Sequence, residues 1–309
     1  MNVSLYNLHD LRNKKFKGGI KMKKLLTALL IITLVGSLSG CGSTASKNST
    51  DSKNSSKTYT GKLEGALKDY TFKVGTSGTY APFSYYDNDG KTLIGFDIDL
   101  LNALQKLLGF KIDGNTVQAM DYSPLTTSVS GGKLDIAMAA LCATDSRKKA
   151  MNFSDTYYKA GLTVITNKET SPEEITGIES LKSGKYKVAV EKGTAGNLYA
   201  VQAGIPSNNL QIYDSITTAH EALESGKVDC LIYDAPGTTY YIANKKNSKL
   251  KMVGEQFAQD QSPYAIAVSF NASKKNPELV GILNAAIKKL QQDGTLDKIE
   301  QKWCKSITN

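Results

Sequence analysis

The chain has 309 residues, 40% hydrophobic and 22% charged, enough for two ordinary domains. Its formal net charge of +9 suggests a nucleic-acid partner only until the charge is located. Residues 1–40 hold seven basic residues (Arg12, Lys14, Lys15, Lys17, Lys21, Lys23 and Lys24) against Asp10 alone; the rest, with 31 basic and 28 acidic, carries only +3, so no nucleic acid is expected.

In chain order, Lys21-Met22-Lys23-Lys24 precedes the thirteen-residue apolar run 25–37, LLTALLIITLVGS. A short basic region and a core this short read as a signal peptide over 22–40 rather than a comfortable membrane span. Leu38-Ser39-Gly40-Cys41 resembles a lipobox, which implies diacylation of Cys41 and a protein held to the cell membrane from outside the cytoplasm. Residues 1–21 are expected to be an upstream extension, with Met22 the true start and Lys17-Gly18-Gly19-Ile20-Lys21 a translated ribosome-binding site. Residues 41–58 are the lipidated cysteine and a Ser/Thr/Asn/Lys-rich stretch with little to bury, a disordered tether.

Folded structure is predicted from about Thr71. Residues 72–76 are a strand and 77–83 (SGTYAPF) the loop after it. Gly95-Phe96-Asp97-Ile98-Asp99 opens a helix whose apolar Ile98, Leu101, Leu104 and Leu108 share one face, and Gly109 supplies its left-handed end. Met120-Asp121-Tyr122-Ser123 enters another helix. The run 134–138, LDIAM, is a buried strand that turns through Cys142-Ala143-Thr144-Asp145 into a short helix capped by Thr144 or Asp145. Arg147 falls in its first turn, where a cation opposes the helix dipole. On pattern alone, a solvated arginine beside Lys148 and Lys149 is the commoner reading.

A second unit follows the strand 161–166. Residues 186–190 are a strand, 191–194 a turn, 195–204 a helix, and 228–233 a strand that ends at Asp234. His220 sits in a polar helix, 217–226, and is expected to be exposed. Residues 262–269 form a long strand leading back, Asn276-Pro277 starts a helix, and Gly294 stops it before a last helix to Trp303. Strands alternating with helices imply an α/β fold with mainly parallel sheets.

The sequence T-D-x-R-K-K followed by F-S-x-x-Y-Y, with G-F-D-x-D-L, M-D-Y-S and Y-D-A-P elsewhere, resembles the polar amino acid-binding proteins of ABC transporters, such as the glutamine- and lysine/arginine/ornithine-binding types. The likeness runs from about Phe72 to Trp303. It implies a two-lobed, periplasmic-binding-protein-like (type II) fold with a two-strand hinge. Residues 59–163 and 265–309 would form a discontinuous first lobe and 164–264 the second, with 161–166 and 262–269 crossing between them.

The same resemblance assigns a site. A free amino acid carries a carboxylate and an ammonium, and both need partners once water is excluded. Arg147 offers a planar fork to the carboxylate, joined by backbone N–H groups of the turn at Thr194 and Ala195. Asp234, which read alone is equally a helix cap, takes the ammonium with Tyr233 beside it. The Ala140 carbonyl and the side chain at position 142 assist, although Cys142 stands where the family has Ser or Thr and a thiol is a weak partner. Tyr80 and Tyr122 match two aromatic walls, and read alone are equally core. Ser77 stands where members that bind cationic or amide ligands often have Asp. Glu191, on the opposite lobe, either faces the ligand's side chain or braces its turn.

The expected function is that of a monomeric, non-catalytic receptor that binds a polar or cationic L-amino acid between its lobes. It would deliver the amino acid to a separate permease and ATPase; no G-x-x-x-x-G-K-[ST] occurs in the chain. No cofactor or metal is implied, since His9 and His220 make no cluster. Two alternatives differ in class: a cyclohexadienyl dehydratase-like enzyme on the same fold, with Glu191 as candidate general acid, or an amino-acid-sensing surface lipoprotein. Cys142, Cys230 and Cys304 leave room for one disulfide at most.

Overall fold

The computed structural model describes residues 58–305. The upstream extension, the signal peptide, Cys41 and the tether up to residue 57 lie outside the described residues. Two five-stranded sheets organise the chain. The first runs Gln118–Ala119, Val74–Thr76, Ile136–Ala137, Pro263–Val268, Asn152–Lys159. The second runs Leu210–Tyr213, Val188–Glu191, Cys230–Asp234, Leu162–Asn167, Leu250–Phe257. In each, three parallel strands are followed by two that join antiparallel. The chain leaves the first sheet at Ala160-Gly161 and returns to it through residues 258–262.

Helix Phe96–Leu108 shows how the sequence builds the first lobe. Leu100, Leu104 and Leu108 are fully buried against the first sheet's layer, each contributing about 1.5–3 kcal/mol. Gly109 ends the helix at φ 79, a left-handed conformation that costs glycine little, and returns its N–H to the Gln105 carbonyl. Ile98, placed on the buried face from its spacing, is only half-buried; the face is rotated toward Phe96, Asp97 and Leu100.

Three further expectations need correction. The strand over 72–76 breaks at Lys73: Thr71–Phe72 pairs with Lys111–Ile112, whereas Val74–Thr76 enters the main sheet, and the Lys73 N–H goes to Asp135 Oδ2 at 2.9 Å. The helix at Asn276-Pro277 starts later, at Leu279; Asn276 Oδ1 instead accepts the Glu278 N–H at 3.1 Å. His220 is buried, not exposed, because helix Ile216–Glu224 turns Ile216, Ala219, His220 and Leu223 inward and the imidazole stacks on Tyr241 with centroids 4.0 Å apart. No disulfide joins Cys142, Cys230 and Cys304.

Candidate functional site

Both sheets present the C-terminal ends of their parallel strands to each other, the place where α/β sheets collect ligands. From the first lobe come the loop after Val74–Thr76, the ribbon containing Thr79–Tyr80, the start of helix Tyr122–Ser130 and the turn 138–147. From the second come the ends of Val188–Glu191 and Cys230–Asp234, each leading into a helix.

Arg147 is 8% exposed, and the fork of its guanidinium bridges the lobes. Nη1 donates to the Cys142 carbonyl at 2.8 Å and Nη2 to the Gly193 carbonyl of the second lobe at 2.6 Å. The Tyr122 ring lies under it, 5.3 Å from guanidinium carbon to centroid, within cation–π range. Thr144, not Asp145, caps the short helix, accepting the Arg147 N–H at 3.4 Å. Opposite, Thr194 caps helix Ala195–Gln202 by accepting the Asn197 N–H at 3.3 Å while donating to the Glu191 carbonyl at 2.8 Å. That geometry leaves the N–H groups of Ala195 and Gly196, at the helix start, without an intrahelical acceptor.

Asp234 is the N-cap of helix Ala235–Asn244, yet its side chain caps nothing. Oδ2 accepts from the Tyr264 hydroxyl at 2.9 Å, while Oδ1 is buried with no partner. Burial pushes the carboxyl up to about 6, against the Tyr264 hydrogen bond and the Arg147 charge. The Tyr264 hydroxyl is in turn 2.9 Å from that of Tyr80. Tyr80 stacks on Phe83 and meets Tyr233 of the other lobe edge-on, with centroids 5.4 Å apart.

Glu191, the last residue of its strand, is buried. Burial raises its carboxyl to about 8; hydrogen bonds from Tyr233 and from the Ile216 N–H oppose this, and the charges of Asp234 and Asp121 reinforce it. Glu191 is therefore mostly protonated at neutral pH. Cys142 is also buried, and burial followed by the Asp234 charge drives its thiol well above the ordinary value, so it stays neutral. Ala140 takes a left-handed conformation, φ 50, secured by its N–H donating to Asp97 Oδ2 at 2.8 Å. Asp97 is buried, its other oxygen accepting from Tyr157 at 2.7 Å, and burial lifts its carboxyl to about 6. The Ser77 hydroxyl is 3.1 Å from that of Ser84.

Tyr80, Tyr122, Ala140, Cys142, Arg147, Glu191, Thr194, Ala195, Tyr233 and Asp234 thus line the facing ends of the two sheets. Residue patterns missed Tyr264, Asp97 and Gly237; an aspartate in a helix's first turn and a tyrosine inside an apolar strand are ordinary features until their partners are seen. The two lobes also enclose open space on either side of this centre. Thr144, Leu162, Ala195 and Pro263 line a cleft of about 480 Å³. Tyr80, Ile216, His220, Tyr233 and Gly237 line another of about 490 Å³.

Residues 72–306 match the model of the bacterial extracellular solute-binding proteins, family 3. The L-cystine-binding protein TcyA of Bacillus subtilis is 29% identical over 284 residues, 91% of this chain and 97% of that protein. Among solved structures, an ancestral arginine-binding protein bound to glutamine is 35% identical with a TM-score of 0.66, covering 75% of this chain and 97% of that one. An ancestral amino acid-binding protein described as a precursor of cyclohexadienyl dehydratase is 32% identical with a TM-score of 0.64, covering 77% and 96%.

Proposed function

This chain belongs to the bacterial extracellular solute-binding proteins, family 3, and we propose that it is the amino-acid receptor of an ABC importer. It binds a free L-amino acid between its lobes and hands it to a permease driven by a separate ATPase. One observation carries the reading: a buried carboxylate oxygen, Asp234 Oδ1, lacks any partner near a guanidinium fork, Arg147, on the other lobe. An α-ammonium satisfies the first and an α-carboxylate pairs with the charge of the second, with the Ala195 N–H, the Ala140 carbonyl and Thr194 completing the pair. Tyr80 and Tyr122 flank the side chain, and Tyr233 and Glu191 close it from the second lobe.

Glu191 sets the side-chain preference. A cation brought beside it favours its ionised form, so arginine, lysine and ornithine rank ahead of glutamine and cystine, and glutamate and aspartate bind worst. Thermal denaturation against the twenty amino acids, cystine and ornithine tests this, because a ligand held only by the folded state raises its stability. Stabilisation by none of them removes the reading, and tight glutamate binding removes the preference.

The proposed lobes are residues 59–163 with 265–309, and residues 164–264. Both boundaries fall inside the crossing strands Leu162–Asn167 and Pro263–Val268. Anchorage to the outer side of the cell membrane through lipid on Cys41, following a signal peptide at 22–40, rests on the sequence Leu38-Ser39-Gly40-Cys41. Mass spectrometry of the mature N-terminus tests it, and also tests Met22 as the start when applied to a Cys41→Ala precursor. A monomer suffices for this role.

A second reading has one observation in its favour. Glu191 is a carboxylic acid held protonated near neutrality within a closing cleft, the condition of a general acid in a dehydratase. Incubation with prephenate and arogenate separates the two: turnover of either supports the enzyme, and its absence leaves the receptor.

A further inference from the structure

Tyr264 is fully buried and sits second in the strand Pro263–Val268, on which the chain returns to the first sheet. Its ring is fixed by three other aromatic rings. It stacks on Tyr158 with centroids 5.7 Å apart and meets Phe83 edge-on at 5.0 Å and Tyr80 at 6.5 Å. Behind it, Cys142 bridges its backbone. None of this packing needs a hydroxyl, yet the hydroxyl sits at the junction of the site's polar groups.

The direction of its bonds follows from donor counts. An ionised carboxylate only accepts, so the single proton of Tyr264 goes to Asp234 Oδ2, 2.9 Å away. The Tyr264 oxygen must then accept from Tyr80, 2.9 Å away. Gly237, in the first turn of the helix that Asp234 heads but does not cap, lies directly against the Tyr80 ring and hydroxyl. Tyr80, Tyr264 and Asp234, drawn from both lobes, thus form one chain of like-directed hydrogen bonds, in which each polarises the next.

We propose that Tyr264 is the positioning residue for the ligand's α-ammonium: by occupying Asp234 Oδ2 it turns the carboxylate away from its own helix and leaves Oδ1 as the buried acceptor. The inference rests on the amino-acid reading above and deepens it. Selection for an ammonium is then a property of the returning strand as well as of Asp234. A hydrogen at the ligand's α-carbon leaves Oδ1 without a donor, and a hydroxyl offers one neutral donor where an ammonium brings a charge. The groups facing Asp234 are Tyr264 by hydrogen bond, Tyr80 behind that hydroxyl and Arg147 by charge, with Cys142, Tyr122, Tyr233 and Glu191 close enough to feel its charge. Tyr264 and Arg147 hold the carboxyl down against burial, so loss of the hydroxyl moves its titration upward.

The test is calorimetric titration of wild type and Tyr264→Phe across pH 5–8. The probes are L-arginine, L-glutamine and their desamino counterparts, guanidinovaleric acid and glutaramic acid. Loss of one hydrogen bond to a charged group should weaken amino-acid binding about 10- to 100-fold at pH 7. The acidic limb of affinity, centred near pH 6 in wild type, should move to higher pH, and the preference for each amino acid over its desamino counterpart should shrink. An unchanged limb, or equal losses for amino acids and desamino acids, would assign Tyr264 a packing role only and overturn the inference. Tyr80→Phe, which keeps both rings and removes the donor feeding Tyr264, should move the limb in the same direction by less. It serves if Tyr264→Phe does not fold, and an unmoved limb there overturns the inference too. Wild-type protein that binds none of the twenty amino acids, cystine or ornithine removes the amino-acid reading and this inference together.

Discussion

The Tyr80 ring rests so closely on Gly237 that a Cβ added to this glycine would overlap Tyr80 Cε2 and lie 2.9 Å from its hydroxyl oxygen. The two residues belong to different lobes, so the absent side chain is what lets the lobes meet. Gly237 lies in helix Ala235–Asn244, where alanine is otherwise the better residue by roughly 0.5–1 kcal/mol. Gly237→Ala should therefore leave the melting temperature of the protein without added amino acid unchanged or raised, while weakening amino-acid binding at least tenfold. Scattering should show less compaction on adding amino acid than in wild type. Wild-type affinity in this variant would mean that Tyr80 moves aside freely, against its packing on Phe83, Tyr233 and Tyr264.

Arg147→Lys and Asp234→Ala should each cost roughly 2–5 kcal/mol of amino-acid affinity, most of it from the ligand charge left bare. Arg147→Lys loses more than a charge count suggests, because an ammonium cannot reproduce the fork that reaches both Cys142 and Gly193. Calorimetry with the amino acid chosen by thermal screening checks both variants. Near-wild-type affinity in either removes that residue from the site.

Glu191 should make the protein less stable as pH rises. Burial raises its folded carboxyl to about 8 from an ordinary 4.5, so between those values the folded state holds the proton more tightly than the unfolded one. Stability from this group is fully present below pH 4.5, declines from there, and its loss is complete above pH 8. Glu191→Gln should flatten that decline, with a gain on the order of 2–4 kcal/mol at pH 8.5 in chemical denaturation. The same variant should lower affinity for arginine or lysine; an unchanged cation affinity would mean that Glu191 only braces its turn.

Asp97 supports the site from behind. Asp97→Ala frees the Ala140 N–H and the Tyr157 hydroxyl inside the first lobe, at about 1–3 kcal/mol for each buried group left unpaired. A lower melting temperature is expected, together with weaker amino-acid binding as the left-handed turn at Ala140 relaxes. A variant with wild-type stability and affinity would show that the turn holds itself.

Much of this was legible in the sequence because it is local. The apolar spacing of Leu101, Leu104 and Leu108 and the glycine after them place a helix and its end within two turns of chain. Arg147 and Asp234 were different: as isolated residues they were an unremarkable arginine and a plausible helix cap, and only the resemblance singled them out. The Tyr264 bond to Asp234 spans thirty positions and its bond to Tyr80 spans 184, so no window of sequence contains either. His220 was misjudged for a related reason. Its helix is polar by composition, but tertiary packing turned the imidazole onto Tyr241, where burial lowers its basicity to about 4.

The position of Pro263–Val268 also fixes an order of assembly. That strand lies between Ile136–Ala137 and Asn152–Lys159, and the latter pairs with no other strand in its sheet. As the chain emerges from its N-terminus, the first lobe therefore holds an incomplete sheet with unpaired strand edges until residue 268 arrives. All five strands of the second sheet are present by Phe257. The lobe begun second is the one that can be finished first, and the earlier lobe waits for it with open edges able to pair with neighbouring chains.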